Sequence, residues 1–328
     1  MRTFGPSPAE IGEDMKILVA YDDSDYAKAA IDDLQRAGLP RDATAVVTSV
    51  VGTLLPSAAL ALDPMTAIGA SHRVAATLAQ AHAEREQATE EANDLARKGV
   101  TRVRRCFPDW EVFAEPVVGS AAQAILQKAD NWPAHLVVVG SHGRSALGRL
   151  ILGSVSRQVA SECSRSVRVA RHVITRGNAP VRVIVGVDGS EAAAAPMRAV
   201  LSRRWPAGTE VRVVAVDDTF RPTGTVKMVP TATEWINESN DIQIADMDGM
   251  VHQAAEMFLE AGFDVSMQVA KGNPRDVLNE ESRGWGADCI FVGARGTMTD
   301  RTGDKVGLGS VAAALVSSAP CSVEITRV

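Results

Sequence analysis

The chain has 328 residues, long enough for two domains, and 46% hydrophobic with 23% charged residues is an ordinary globular composition. Lys and Arg number 34 against 40 Asp and Glu, a net charge of −6, which argues against general binding to nucleic acid or to an anionic membrane surface. No apolar run approaches membrane-spanning length, the opening MRTFGPSPAEIGED has no apolar signal core, and the four cysteines form neither a Cys-x-x-Cys pair nor a zinc spacing, so a cytoplasmic protein with reduced thiols is expected.

Residues 1–14 read as a loose leader. The segment 16–21 reads as a strand ending at Asp22-Asp23-Ser24. A helix is expected over 26–37, capped by Ser24 or Asp25 and stopped by Gly38-Leu39-Pro40. Residues 44–51 form a second, β-branched strand. After a loop of small and apolar residues, the Ala, Glu and Gln content predicts a long helix that begins at Thr66 or Ser71 and ends at Gly99. A third strand over 110–118 leads through Gly119-Ser120 to a helix over 121–129. Residues 136–139 are a short continuous apolar run, as a strand buried on both faces should be. A helix over 154–163 and a fifth strand over 167–170 complete an alternation that predicts a doubly wound, largely parallel sheet.

The order then begins again. Residues 181–190 repeat the first strand and its Asp-x-Ser end, and 211–216, 265–269, 289–293 and 322–325 repeat the other four strands. Residues 246–261 repeat the long helix, which ends at Gly262. Gly119 stands 21 residues before Gly140, and Gly272 stands 21 before Gly293. Between Asp22 and Gly119 there are 97 positions, against 84 between Asp188 and Gly272, so the first copy carries an insert of 13 residues after its second strand. The expected organisation is a leader at 1–14, one domain at 15–174, a linker at 175–180 and a second domain at 181–328, two tandem five-stranded α/β units.

The chemistry is concentrated where the fourth strand runs into Gly140-x2-Gly143-x9-Gly153-Ser154 and then a helix. A helix N-terminus offers unpaired N–H groups and the positive end of a dipole, and glycine lets an anion approach the backbone. The second copy keeps Gly293-x2-Gly296, but twelve residues rather than nine precede Gly309-Ser310. The added segment, 297–305, is polar, and Ala312 stands where the first copy has Ser156.

This glycine spacing, together with the openings ILVAYDDS and VIVGVDGS, resembles the ATP-binding branch of the universal stress proteins over nearly the whole chain. The resemblance implies an adenine-nucleotide α-hydrolase-like fold, with ATP at the carboxyl ends of the strands and Mg²⁺ brought in through its phosphates. Carried over by position, Asp22 would contact the ribose or adenine, and Val50 would line the adenine pocket. Val139 and Gly140 would lie under the nucleotide, and Gly143 would let the loop close on the phosphates. Gly153, Ser154, Val155 and Ser156 would donate to those phosphates, with Arg144 and His142 able to add positive charge. The counterparts are Asp188, Val216, Gly293, Gly296, Gly309 and Ser310. The first copy is the favoured site. The longer loop of the second either reaches phosphate through Arg295, Arg301 and Lys305 or covers an empty site.

No P-loop, kinase set or Gly-x-Ser-x-Gly elbow is present, so binding with little turnover, as in a nucleotide-dependent stress-response protein, is favoured. The competing readings are a slow ATPase, an ATP-activating enzyme of the α-hydrolase group, or a scaffold without nucleotide. The pyrophosphatase branch of that group carries Ser-Gly-Gly-x-Asp-Ser after its first strand, and Asp22-Asp23-Ser24 and Asp188-Gly189-Ser190 do not. In the family the fifth strands pair across a dimer. Here 167–170 and 322–325 are expected to pair within one chain as a pseudo-dimer. A homodimer through the insert near 56–83 is the alternative use of that segment, which otherwise extends a surface helix.

Overall fold

The computed structural model describes residues 15–52, 72–143, 152–171, 179–190, 193–218, 246–296 and 307–327, and side chains within 72–78 are excepted. The first half contains β1 (Lys16–Ala20), α1 (Asp25–Asp33), β2 (Thr44–Val51), α2 (His72–Cys106), β3 (Glu111–Val118), α3 (Ala121–Asn131), β4 (Leu136–Gly140), α4 (Ser154–Glu162) and β5 (Ser166–Ala170). The second contains β6 (Arg182–Val187), α5 (Ala194–Leu201), β7 (Glu210–Asp217), α6 (246–260), β8 (Asp264–Lys271), α7 (Pro274–Trp285), β9 (Cys289–Gly293), α8 (Ser310–Ser318) and β10 (Ser322–Thr326). No helix among the described residues is long and apolar enough to cross a membrane.

All ten strands form one sheet, in the order β3-β2-β1-β4-β5-β10-β9-β6-β7-β8. Every neighbouring pair is parallel except β5 and β10, which pair antiparallel at the centre. The expected intramolecular pairing is therefore present, and it covers one edge of each half. In each half the chain leaves the first strand toward one side and returns on the other. This places a topological switch point between β1 and β4, and another between β6 and β9, where open α/β sheets bind ligands.

Alternation along the strands sends successive side chains to opposite faces. On one face Val137, Val139, Val167, Val169, Ile290, Val323 and Ile325 join residues of α3, α4, α7 and α8 in one apolar cluster that crosses from half to half. The other face carries two separate clusters. One packs α1 and α2 on β1, β2 and β4; the other packs α5 and α6 on β6, β7 and β9.

Between those two clusters the seam is bridged by charge. Arg168 lies opposite Glu324 at the centre of the antiparallel pair, and both are fully buried. Arg168 Nε meets Asp33 Oδ2 at 2.6 Å and its Nη1 meets Glu324 Oε2 at 3.1 Å. Arg203 pairs with both oxygens of Glu324 and also donates to Ala37 O at 3.0 Å. Asp33 receives a second bond from Ser322 Oγ at 2.9 Å. Burial alone would lower the Arg168 pKa, but Asp33, Cys289 and Glu324 outweigh it and hold the guanidinium charged. The pairings Leu136 with Ser166 and Cys289 with Ser322 make Arg168 and Glu324 equivalent positions of the repeat. Self-pairing of either copy would bury like charges face to face, so the complementary pair favours joining unlike halves. A second bridge, from Arg36 to Asp288 at 2.9–3.0 Å, fastens the turn that follows α1 to the residue just before β9.

Two expectations are corrected. Gly99 does not end the long helix, which continues to Cys106. Its glycine serves a close crossing instead: a Cβ there would stand 2.6 Å from Val47 Cγ1 and 2.9 Å from the Tyr21 ring. Ala is normally the better helix former by about 1 kcal/mol, yet Gly99→Ala is expected to destabilise the chain by a net ~1–2 kcal/mol through overpacking. Urea unfolding at an unchanged m-value measures it. The first helix also stops earlier than expected, at Asp33, and a 3₁₀ turn covers Leu34–Arg36. The leader, most of the insert and of the linker, Arg144, and the 297–305 segment lie outside the described residues.

Candidate functional site

In the second half the carboxyl ends of β6, β7 and β9 and the N-terminus of α8 enclose a cavity of about 220 Å³. Its wall includes Asp188, Val216, Gly293, Gly296, Gly309 and Ser310, so all six second-copy candidates come together. Val187, Val216 and Val292 of the strands, with Leu278 of α7, make much of its wall apolar. Arg295, Asp217 and Asp218 add charge of both signs.

The helix end is built for an acceptor. Gly309 has no side chain with which to cap α8. The first intrahelical bond runs from Ala313 N to Gly309 O at 3.0 Å, so the amides of Ser310, Val311 and Ala312 precede it. All three residues line the cavity. By contrast, Ser24 caps α1 and Asn273 caps α7 through their side chains. Gly309 N itself is tied to Ala294 O at 2.8 Å, which fixes the loop exit against the strand end.

The first half repeats this frame. Gly153 leaves α4 without a side-chain cap, Gly153 N bonds Ser141 O at 2.9 Å, and Arg157 N bonds Gly153 O at 3.0 Å. Ser154 is exposed at the helix start, and Val155 is half-buried behind it. Val50, near the end of β2, is half-buried and paired with Val117, while Val139 is buried in the sheet core. Ser156 is buried, and its hydroxyl donates to Gly140 O at 2.5 Å, tying α4 to the end of β4. Ala312 cannot make this bond. His142 is buried, with its ring 4.5 Å from that of Tyr26 and Nδ1 3.0 Å from Ser141 Oγ.

The glycines prove to have distinct physical reasons. A Cβ on Gly140 would meet the main chain of α1, at 2.8 Å from Tyr26 O, so this glycine permits the helix to pass over the strand end. A Cβ on Gly143 would lie 3.0 Å from Asp22 Oδ2. One on Gly296 would fall onto Asp188 Oδ2. In both copies, then, the second loop glycine leaves room for the carboxylate that follows the first strand. That carboxylate is oriented by its own turn: Asp22 Oδ1 accepts from Ser24 N at 3.1 Å, and Asp188 Oδ1 from Ser190 N and Oγ at 3.0 and 2.6 Å.

Asp23 points elsewhere, as adjacent positions should. Its φ of 64° is left-handed, and it accepts from Tyr21, Lys28 and Lys98. Burial would raise its carboxyl, but these donors prevail and hold it below the usual carboxylate range. Burial, reinforced by Asp23, pushes the Tyr21 phenol well up. Neither is a poised acid or base near neutral pH.

The sequence profile described as the universal stress protein family matches residues 15–171 and again 181–327. The chain belongs to the universal stress protein family. Universal stress protein Sll1388 of Synechocystis sp. is 30% identical over 163 residues, which span 97% of that protein and 48% of this chain. This relative thus has the length of one half. A universal stress protein from Archaeoglobus fulgidus superposes with a TM-score of 0.59 at 17% identity, covering 95% of this chain and 98% of its own. A functionally unknown protein from Pseudomonas aeruginosa gives 0.58 at 15% identity, covering 98% and 95%. Both superpose along nearly the full length of this chain and share its fold.

Asp217, Asp218, Met247, Pro274 and Leu278 line the cavity and were not among the residues singled out in sequence. For Asp217 a signal existed: it ends β7 where the first copy has Val51 at the end of β2. Met247, Pro274 and Leu278 are brought in by helices whose docking only the fold discloses.

Proposed function

We propose that this universal stress protein binds ATP at the carboxyl end of each half-sheet and acts as a nucleotide-dependent regulator, with binding rather than turnover as its output. The observation that carries the reading is the second-half cavity. There, three amides at the uncapped start of α8, an arginine in the Gly293-x2-Gly296 loop and an apolar sheet-side wall meet at a topological switch point. Amides and Arg295 suit phosphate oxygens. The valines and Leu278 suit a purine face, and Asp188 and Asp217 accept hydrogen bonds from ribose hydroxyls or an amino group.

The acids are not assembled into a metal cage: no group of three or more His, Cys, Asp or Glu among the described residues could hold an ion. Mg²⁺ would therefore take most of its ligands from the phosphates and water. The shared Gly–carboxylate contact and uncapped helix extend the same reading to the first half.

Thermal unfolding with and without ATP tests it. At ATP concentrations near 100 times Kd, binding to the folded state adds about 2.7 kcal/mol, so the midpoint rises. An unchanged midpoint from low to millimolar ATP would sink the proposal.

A further inference from the structure

Each half holds the other's site helix. Arg171 follows β5 in the first half, yet its Nη2 donates to Val316 O of α8 at 2.6 Å. Arg327 follows β10 in the second half, and its Nη2 donates to Ala160 O and Ser161 O of α4 at 2.7 and 3.3 Å. Both arginines lie one residue past their fifth strand, so they are counterparts in the repeat. Their backbones repeat the exchange: Arg171 N donates to Ser322 Oγ at 3.1 Å, and Arg327 N to Ser166 Oγ at 3.2 Å.

The receiving carbonyls are among the last four of nine-residue helices, which have no acceptor role within the helix. Helices this short do not hold their shape alone. A guanidinium at the C-terminal end satisfies these carbonyls and complements the dipole whose other end faces the site. Burial lowers the pKa of both arginines, a sign that these charges have been withdrawn from water to reach the helix ends. α4 and α8 also pack on each other across the seam.

We propose that Arg171 and Arg327 are crossed positioning residues. Each fixes the site helix of the opposite half, so that the affinity of each site depends on an arginine of the other half, a coupling carried by the β5–β10 seam. The coupling of sites rests on the ATP reading above; the positioning of the helices does not.

Hydrogen exchange on the nucleotide-free full chain tests the positioning. Arg171→Met should speed amide exchange in 310–318 several-fold more than in 154–162, and Arg327→Met should do the reverse. Arg171→Lys, which keeps a cationic donor, should stay within about twofold of the parent chain. Exchange that rises in the variant's own half, or equally in both, or equally for Lys and Met, overturns the proposal.

Titration with ATP tests the coupling. In a Gly143→Val background, Arg171→Met should weaken the remaining site roughly fivefold, with Arg327→Met within twofold; in a Gly296→Val background the two exchange roles. Equal effects of both variants on both sites overturn the coupling. A parent chain that binds no ATP refutes the binding reading and the coupling with it, while exchange still decides the positioning.

Discussion

Replacing Glu324 with Gln should destabilise the protein by about 3–5 kcal/mol, because it leaves two buried guanidiniums facing one carboxylate. Glu324 is fully buried, and its two oxygens engage Arg168 and Arg203. The chain of charges Asp33, Arg168, Glu324, Arg203 alternates in sign and sums to zero, and removing one inner member leaves a net charge that water cannot reach. Arg203→Met alone leaves the opposite imbalance. The double variant restores neutrality around the Asp33–Arg168 pair, so its loss should fall short of the sum of the single losses by at least ~1 kcal/mol. Urea midpoints of the four proteins close the cycle. Additive losses would mean that the charges are individually solvated and that the seam is held by the apolar cluster on the other face.

Gly296→Ala should cost the second site at least about a hundredfold in ATP affinity, whereas Gly143→Ala should cost the first site less than about tenfold, these factors being ~2.7 and ~1.4 kcal/mol. The asymmetry follows from geometry. At Gly143 an added Cβ would sit 3.0 Å from Asp22 Oδ2, a gap that a small rotation relieves. At Gly296 it would land on Asp188 Oδ2 and displace a carboxylate that is held by Ser190 N and Oγ. The displaced carboxylate would then turn into the cavity, against any phosphate bound there. Calorimetric titration of each variant, with the other site blocked by Gly→Val, gives the two affinities. Equal losses in the two halves would contradict this account of the loop glycines.

The fold was largely legible because buried parallel strands are short continuous apolar runs with glycine at their ends. Residues 44–51 and 289–293 read from the pattern alone as the strands that form. The repeat supplied the rest, since each uncertain element had a second copy. Gly99 was misread because a helix stop and a close crossing look alike in sequence. What separates them is Tyr21 and Val47, 78 and 52 positions away. Arg168 and Glu324 sit in SVRVA and SVEIT, where alternation shows a charge in the middle of an apolar strand. Their partners, Asp33 at the end of α1 and Arg203 just past α5, became visible only with the topology. The candidate site was legible as a motif and not in its packing: the sequence placed the loop glycines, and only the structure shows that a Cβ on either would crowd the aspartate after the first strand. The second copy, doubted for its longer loop, is the one whose cavity is framed by described residues.

Counting nucleotide is the most direct test of the central claim. The purified chain, saturated with ATP, freed of excess and denatured, should release two adenine nucleotides per chain. Gly143→Val and Gly296→Val should each release one, and the double variant none. Release of no nucleotide from the parent chain, or of two from Gly296→Val, would contradict the assignment of ATP to the ends of these two half-sheets.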